Sequence, residues 1–551
     1  MAQHGEPPPL SEAQLGRLRA FGASRRFEPG EVLVAPGQLD YPFQLLDEGG
    51  AEVVRAATPD RPELVLRRWG PDDFAGEWGL ITGQAAFLTI RAATAGALHE
   101  IPRDRFLQVL SEDGDLSNTI MRELLRRRAA LRTGEGAASV EILGVEQSAA
   151  AHALRSWAER QGIAYTWLDV DDPAGASLAA ALGCTTEELP VVLTPTATIP
   201  RATVGQLSDN LGLAYRDGGG TRDVVIVGAG PAGLAAAVYG ASEGLSTLLL
   251  DAVSTGGQAA ASSRIENYLG FPGGVSGEAL TSRGLIQAQK FGATVSTPCT
   301  VESLQRSGDI VRLRLSDGTE IPARAVVIAT GARYRRLPLK RWPDFEGAGI
   351  FFSATEMEAR TCQGEPVVVV GGANSAGQAA LFLAARSSGV DLVVRQDELS
   401  AGMSDYLVRR IREHPRITTH LGTEVTELHG GDELTAVDLT RRRDGAVARR
   451  PCKAVFCFIG ATPATAWLDG VALDEDGFVL TDTELTDEHL SSAWPGLGRR
   501  PLPFETSIPG VFAVGDVRRS SMKRVAAAVG EGSSAIPSVH RAIRDHAPRA
   551  S

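Results

Sequence analysis

Asp223-Val-Val-Ile-Val-Gly228-Ala-Gly230-Pro231-Ala232-Gly233 decides the fold of this chain. The apolar run predicts a buried strand, the glycines a tight turn, and the alanine-rich stretch from Leu234 a helix. Such a unit sets a pyrophosphate on a helix N-terminus, where free backbone N–H groups and the helix dipole hold it. The next apolar run, Thr247-Leu-Leu-Leu-Asp251, ends on an acid placed to accept from ribose hydroxyls. A second fingerprint follows at Val367-Val-Val-Val-Gly371-Gly372-Ala-Asn374-Ser375-Ala-Gly377. Two such units imply two dinucleotides on one chain.

The chain has 551 residues, too many for one core, and should divide into three or four domains. A hydrophobic content of 43% with 22% charged residues is ordinary for a soluble globular protein. A net charge of −12 argues against nucleic acid or an anionic membrane as partner. No apolar run is long enough to span a bilayer, and Met1 to Pro9 lacks the basic and apolar segments of a signal peptide. Five scattered cysteines, none in a CxxC, fit a reduced compartment and a cytoplasmic location; no metal site is expected.

Residues 10–100 hold short alternating strands, such as Phe43-Gln-Leu-Leu-Asp-Glu and Leu64-Val-Leu-Arg-Arg-Trp, and a helical segment is expected from Arg103 to about Arg132. With Gly76-Glu77-Trp-Gly-Leu-Ile this stretch resembles cyclic nucleotide-binding domains. That resemblance implies a glutamate for the ribose, matched by Glu77, and an arginine for the cyclic phosphate. The arginine's place reads Gln84-Ala-Ala-Phe-Leu-Thr, and Arg91 comes several positions late. Without that cation the phosphate loses its strongest contact, so no cyclic nucleotide binding is expected. After the polar linker at Arg132-Thr-Gly-Glu-Gly, a strand from Val140, a helix from Ala149 to Gln161, a strand at Tyr165 and a strand led by Pro190 resemble a thioredoxin-like module. The place of that family's redox pair reads Glu146-Gln147-Ser148-Ala149-Ala150, so a docking role is expected instead.

From Thr221 onward the chain resembles the thioredoxin reductase family. The pieces come in family order: the first fingerprint, Asp251, Gly256-Gly257-Gln258, Asn267-Tyr-Leu-Gly-Phe-Pro, Val327-Ile-Ala329-Thr330-Gly331 and Gly510-Val-Phe-Ala-Val-Gly515-Asp516, then a helix opening at Lys523-Arg524-Val525. The resemblance implies FAD on Gly228, Gly230, Pro231, Ala232, Gly233, Asp251, Gly257, Gln258, Asn267, Ala329, Thr330, Gly331, Gly515, Asp516, Arg524 and Val525. It implies a nicotinamide dinucleotide on Gly371, Gly372, Asn374 and Ser375. Relatives place a His-Arg-Arg cluster for the ribose 2′-phosphate where this chain has Val394-Arg395-Gln396; the single match, Arg395, favours NADPH and leaves NADH open. The expected fold class is multidomain: a β-roll with helices (10–133), a thioredoxin-like α/β module (138–215) and two Rossmann-like domains. The FAD domain (221–335 and 458–545) is interrupted by the NAD(P) domain (336–457). The family also implies a homodimer.

The family's redox cysteines precede the second fingerprint. Their slot reads Ser353-Ala-Thr-Glu356 or, shifted by one residue, Ala354 to Met357; neither supplies a thiol, so neither can cycle between dithiol and disulfide. Glu356 is a candidate for proton transfer beside a flavin, and Cys362, the nearest thiol, for a mixed disulfide or sulfenic acid. Three functions stand: an NAD(P)H-dependent flavin oxidoreductase serving a small-molecule or electron-carrier acceptor, an oxygen-using oxidase of a specialised metabolite, or a redox-sensing scaffold.

Overall fold

The computed structural model describes residues 10–57, 62–76, 79–133, 140–216, 219–260, 262, 265, 268–346, 349–352, 354, 356–490 and 494–545. The first unit is a roll of two four-stranded antiparallel sheets. Phe27, Leu45 and Leu98 come from one sheet and Val34, Ala51 and Ile90 from the other; all are buried in one core. Phe43 stacks on Phe74 and on Phe106, with centroids 5.0 and 4.5 Å apart, so the core extends into the following helix. The expected helical segment is formed by two helices. Asp113 leaves helical geometry, accepts from the Leu116 amide at 3.0 Å and separates Arg103–Glu112 from Gly114–Thr133.

The second unit is a four-stranded sheet in the order Thr166–Asp169, Glu141–Gly144, Val191–Leu193, Thr198–Ile199, parallel in its first pair and antiparallel thereafter. The Leu189–Pro190 peptide before its third strand is cis. Helix α1 (Ala149–Gln161) is capped by Ser148 and ended by Gly162 in the left-handed region. It buries Ala151, Leu154, Trp157 and Ala158, the spacing of one helix face.

The third unit is a seven-stranded sheet. Strand β1 (Arg222–Val227) lies between β2 (Thr247–Leu250) and Glu320–Ile328, all parallel. The late strand Val511–Ala513 returns to pair in parallel with Glu320–Ile328. Helices α2 (Pro231–Ser242) and α3 (Gly277–Lys290) cover one face. Between these strands the chain makes a fourth unit. Its sheet has the parallel order Ile350–Phe351, Ala454–Cys457, β3 (Pro366–Val370), Gly389–Val393, Ile417–His420, with helix α4 (Glu356–Thr361) between the first strand and β3 in sequence and helix α5 (Asn374–Ala384) after β3. A two-strand link, Ala332–Tyr334 against Ala461–Pro463, joins it to the third unit. Helix α6 (Val525–Asp545) then packs along α2 through Ala535, Ile536, Val539 and Ala542. Among the described residues no helix is long and apolar enough to cross a membrane.

The front units are built into this frame. The Ala85 amide, in the stretch resembling a phosphate cassette, donates to the Leu211 carbonyl of the second unit at 3.0 Å. Phe87 packs against both cores. Arg91 is taken by Glu52 and Glu63, at 2.6 and 3.1 Å. Glu77, the cassette's expected ribose ligand, lies outside the described residues. The second unit grips the third through buried polar bonds: Gln161 Nε2 donates to Thr297 Oγ1 at 2.8 Å, and Ser208 Oγ to the Thr297 carbonyl at 2.6 Å. Ile286 of α3 packs on the roll's core.

The α2–α6 contact is backbone against backbone. A Cβ at Gly532 would lie 2.1 Å from the Ala232 carbonyl oxygen. Gly532→Ala must therefore part the helices, and overpacking of this kind costs about 1–3 kcal/mol, read as a lower denaturant midpoint.

Candidate functional site

A cavity of about 750 Å³ lies where the second, third and fourth units meet. Its floor is the first glycine turn. β1 is buried along Val224–Val227 because helices cover its sheet, and it delivers the turn to the strand's C-terminal end. Gly228 has φ +108°, and a Cβ there would meet the Ala329 carbonyl oxygen at 2.3 Å. A Cβ at Gly233 would lie 1.8 Å from the Gly228 carbonyl oxygen, so α2 sits directly on the turn. Gly230 differs: its nearest neighbour on that side is Gly257 Cα at 4.0 Å, and its open face lines the cavity. That leaves a cradle for a ligand whose atoms approach backbone, which is what a diphosphate needs.

Asp251, at the end of β2, binds the turn from the side. One oxygen accepts from the Ala229 amide at 2.8 Å, the other from the Val253 and Ser254 amides at 2.9 and 3.1 Å. Burial raises its pKa above the ordinary carboxyl value, against those three amides. Gln258 donates its side-chain amide to the Ala332 carbonyl, tying the Gly257 turn to the crossover after Ala329-Thr330-Gly331. Thr330 Oγ1 donates to the Ala464 carbonyl at 3.0 Å. At the far end Glu531 accepts from the Gly515 amide at 2.7 Å and pairs with Arg518 at 3.1 Å, fixing the loop before α6. Asp516, raised by burial, lies beside Lys523, whose Nζ donates to the Asp516 carbonyl at 3.0 Å. The N-terminus of α6, with Arg524, Val525 and Ala528, lines the same space.

The sequence's candidates therefore divide. Gly230, Pro231, Ala232, Asp251, Gly257, Gln258, Ala329, Thr330, Gly331, Gly515, Asp516, Arg524, Val525 and Ser375 all line the cavity. Gly228 and Gly233 shape its floor from behind, and Asn267 lies outside the described residues. Of the second fingerprint, Ser375, with Gln378 and Ala379 of α5, reaches the cavity, while Gly371, Gly372 and Asn374 lie outside it. Asn374 Oδ1 accepts from the Ser404 amide at 2.8 Å. Arg395 is exposed and makes no ion pair with a described residue.

Neither Glu356 nor Cys362 reaches the cavity. Glu356 is 60% exposed and ion-paired with Arg386, whose hydrogen bond lowers its pKa. Cys362 is buried in the fourth unit's core, donates to the Glu358 carbonyl at 3.4 Å, and has its thiol pushed up to about 12 by burial. A thiol so placed is neither a nucleophile nor an electron carrier. Ser353 and Thr355 lie outside the described residues.

Sequence reasoning missed the other walls. Glu358, two residues past Glu356, lines the cavity, as do Phe351, Phe352 and Tyr334, with Tyr334 stacked on Phe352 at 5.1 Å. Helix α1 adds His152, Ser156 and Arg160. The His152 ring lies 5.5 Å from Phe351; burial lowers its pKa, and the Glu358 carboxylate pulls the other way. A repeat at every fourth residue on α1 was the available signal, but it does not say what the stripe faces.

Gly230→Ala tests the cradle directly. The added methyl meets no protein atom closer than 4.0 Å, so the fold is kept. It intrudes where the diphosphate would lie, an overpacking of about 1–3 kcal/mol, or roughly five- to 150-fold in affinity. Dinucleotide carried through purification, read by absorbance, should fall accordingly at an unchanged unfolding midpoint of the apoprotein.

Residues 222–532 match the model of a family described as pyridine nucleotide-disulphide oxidoreductase, and residues 24–113 match the cyclic nucleotide-binding domain. A thioredoxin reductase of Treponema pallidum is 30% identical over 313 residues, covering 57% of this chain and 94% of the relative. One from Streptomyces clavuligerus is 32% identical over 321 residues, covering 57% and 91%. The crystal structure of Lactococcus lactis thioredoxin reductase in its FR conformation superposes with a TM-score of 0.52 at 26% identity, covering 59% of this chain and 99% of that one.

Proposed function

Because this chain belongs to the pyridine nucleotide-disulphide oxidoreductase family, we propose that it is an FAD-dependent NADPH oxidoreductase built like a thioredoxin reductase that passes electrons to a non-disulfide acceptor. The acceptor is a small molecule or an electron carrier. One observation carries this reading: both glycine fingerprints contribute to one cavity, and none of the five cysteines lines it. Cys299, Cys362, Cys452 and Cys457 are buried in cores, and Cys184 packs in the second unit.

In this reading residues 221–335 and 458–545 form the FAD domain and 336–457 the NADPH domain inserted in it. Gly230, Pro231 and Ala232 would hold the diphosphate, Asp251 the ribose, and Asp516 with the N-terminus of α6 the flavin end. FAD supplies hydride uptake from NADPH and onward transfer of electrons. The protein orients and insulates. Gln258 fixes the turn beneath the ligand, the Tyr334–Phe352 pair excludes water from one wall, and the positive end of α6 favours negative charge at the flavin end. Arg395, exposed and unpaired among the described residues, would receive the NADPH 2′-phosphate.

Residues 138–215 are read as a thioredoxin-like unit without its dithiol, and 10–133 as a cyclic nucleotide-binding-like unit that takes no cyclic nucleotide. Ala85 and Ala86 stand near the missing arginine's place, buried, and Ala85 is bonded to the second unit. A homodimer in the cytoplasm completes the reading.

Anaerobic mixing with NADPH should bleach the flavin absorbance. Quinones, one-electron acceptors or oxygen should restore it, and oxidised thioredoxin should not. Absence of bleaching, or restoration by thioredoxin at the rate of the other acceptors, overturns the proposal. Arg395→Ala should raise KM for NADPH about tenfold or more, the worth of a charge-assisted hydrogen bond, and leave that for NADH unchanged.

A further inference from the structure

Helix α1 belongs to the second unit, yet it walls the cavity. His152, Ser156 and Arg160 stand four residues apart on one face, and all three line it. The opposite face is packed into the unit's own core through Leu154, Trp157 and Ala158. The helix end is pinned in place. The Arg160 carbonyl accepts from Thr255 Oγ1 at 3.1 Å, and buried Gln161 bonds Thr297 Oγ1 at 2.8 Å. Arg160 Nη1 donates to Ser254 Oγ at 3.1 Å. Ser254 and Thr255 lie on the short segment between Asp251 and the Gly256-Gly257 turn that faces Gly230.

Arg160 therefore stands over the loop that closes the glycine cradle. It is half-buried and has no carboxylate partner among the described residues. Its positive field reaches Asp251 on one wall and Tyr334 on another, lowering the pKa of both against burial. A half-buried guanidinium with no ion-pair partner among the described residues, lining the same cavity as the N-termini of α2 and α6, is an anion site with planar, forked donors.

We propose that Arg160 is a ligand of the FAD diphosphate, so that the thioredoxin-like unit supplies a wall and a charge of the flavin site. This rests on the FAD reading above. It gives the second unit a task that needs no thiol: its helix holds the cofactor that its dithiol would otherwise serve.

The test uses the full chain, stripped of flavin and titrated with FAD by fluorescence, for wild type, Arg160→Ala, Arg160→Lys and Gln161→Ala. Arg160→Ala should raise the Kd for FAD about tenfold or more, with weaker dependence on salt than wild type. Arg160→Lys should recover part of the loss. Gln161→Ala removes bonds of the same interface without touching the charge and should stay within about twofold of wild type. KM for NADPH should not change in any variant. If wild type binds FAD and Arg160→Ala binds it equally well, the inference falls and the FAD reading stands. If Gln161→Ala weakens FAD as much as Arg160→Ala, Arg160 acts only through the interface and the inference falls. If NADPH is the ligand weakened, the diphosphate was assigned to the wrong dinucleotide. If wild type takes up no FAD, both fall together.

Discussion

Backbone has to meet backbone at the mouth of this sheet. The Gly228 turn touches the Ala329 carbonyl, α2 rests on the Gly228 carbonyl through Gly233, and α6 rests on the Ala232 carbonyl through Gly532. A side chain at any of these positions would lift one layer from the next. The close stack leaves an uncovered row of amides at Gly230 and aims two helix N-termini, those of α2 and α6, into one space. Everything else around the cavity is arranged against that electropositive floor. Asp251 spends both oxygens on amides of the turn and its loop, and Glu531 holds the Gly515 amide from behind.

The chemistry of the walls differs from what a dithiol enzyme would present there. Where a thiol pair would reach toward a flavin, the described residues place Phe351, Phe352, Ala354 and Glu358, with His152 opposite. These are groups that shape and insulate, with one buried carboxylate and one imidazole whose pKa burial lowers. Four of the five cysteines are buried in cores, where the thiols of Cys299, Cys362 and Cys457 are pushed up to about 12. Such sulfurs pack as small apolar groups.

The glycine turns were legible in the sequence because their geometry is local. Strand, turn and helix occupy consecutive residues, and Asp251 follows at a fixed distance; Gly257, Gln258, Ala329, Thr330, Gly331, Gly515, Asp516, Arg524 and Val525 were implied by the family resemblance instead, and with them fourteen of the expected residues line the cavity. What was illegible depends on direction and on distance along the chain. Glu356 and Glu358 are two positions apart at the start of α4, which is more than half a helical turn; one faces Arg386 at the surface and the other the cavity. No pattern in the sequence chooses between them. Where the helical segment divides, at Asp113, hydrophobic spacing gives no sign because it continues across the division, and the cap is a single side-chain bond. Arg160 could not be found at all from its own segment, since the loop it covers lies 94 residues away.

The strand Val511–Ala513 has a consequence for how the protein comes to be. It pairs with Glu320–Ile328, and the loop and helix that follow it complete the cavity. On the ribosome, the roll, the second unit and the whole inserted unit have emerged before this strand exists. Until it docks, the first glycine turn has its cradle but no far wall, and the Val326–Ile328 end of the strand, beyond its pairing with Ile310–Leu315, offers an open edge. Closing that edge spans a chain separation of nearly two hundred residues, a slow step that local helices cannot hasten. Cofactor capture is thus tied to the arrival of Val511–Ala513 and α6: the site has no far wall until they are in place.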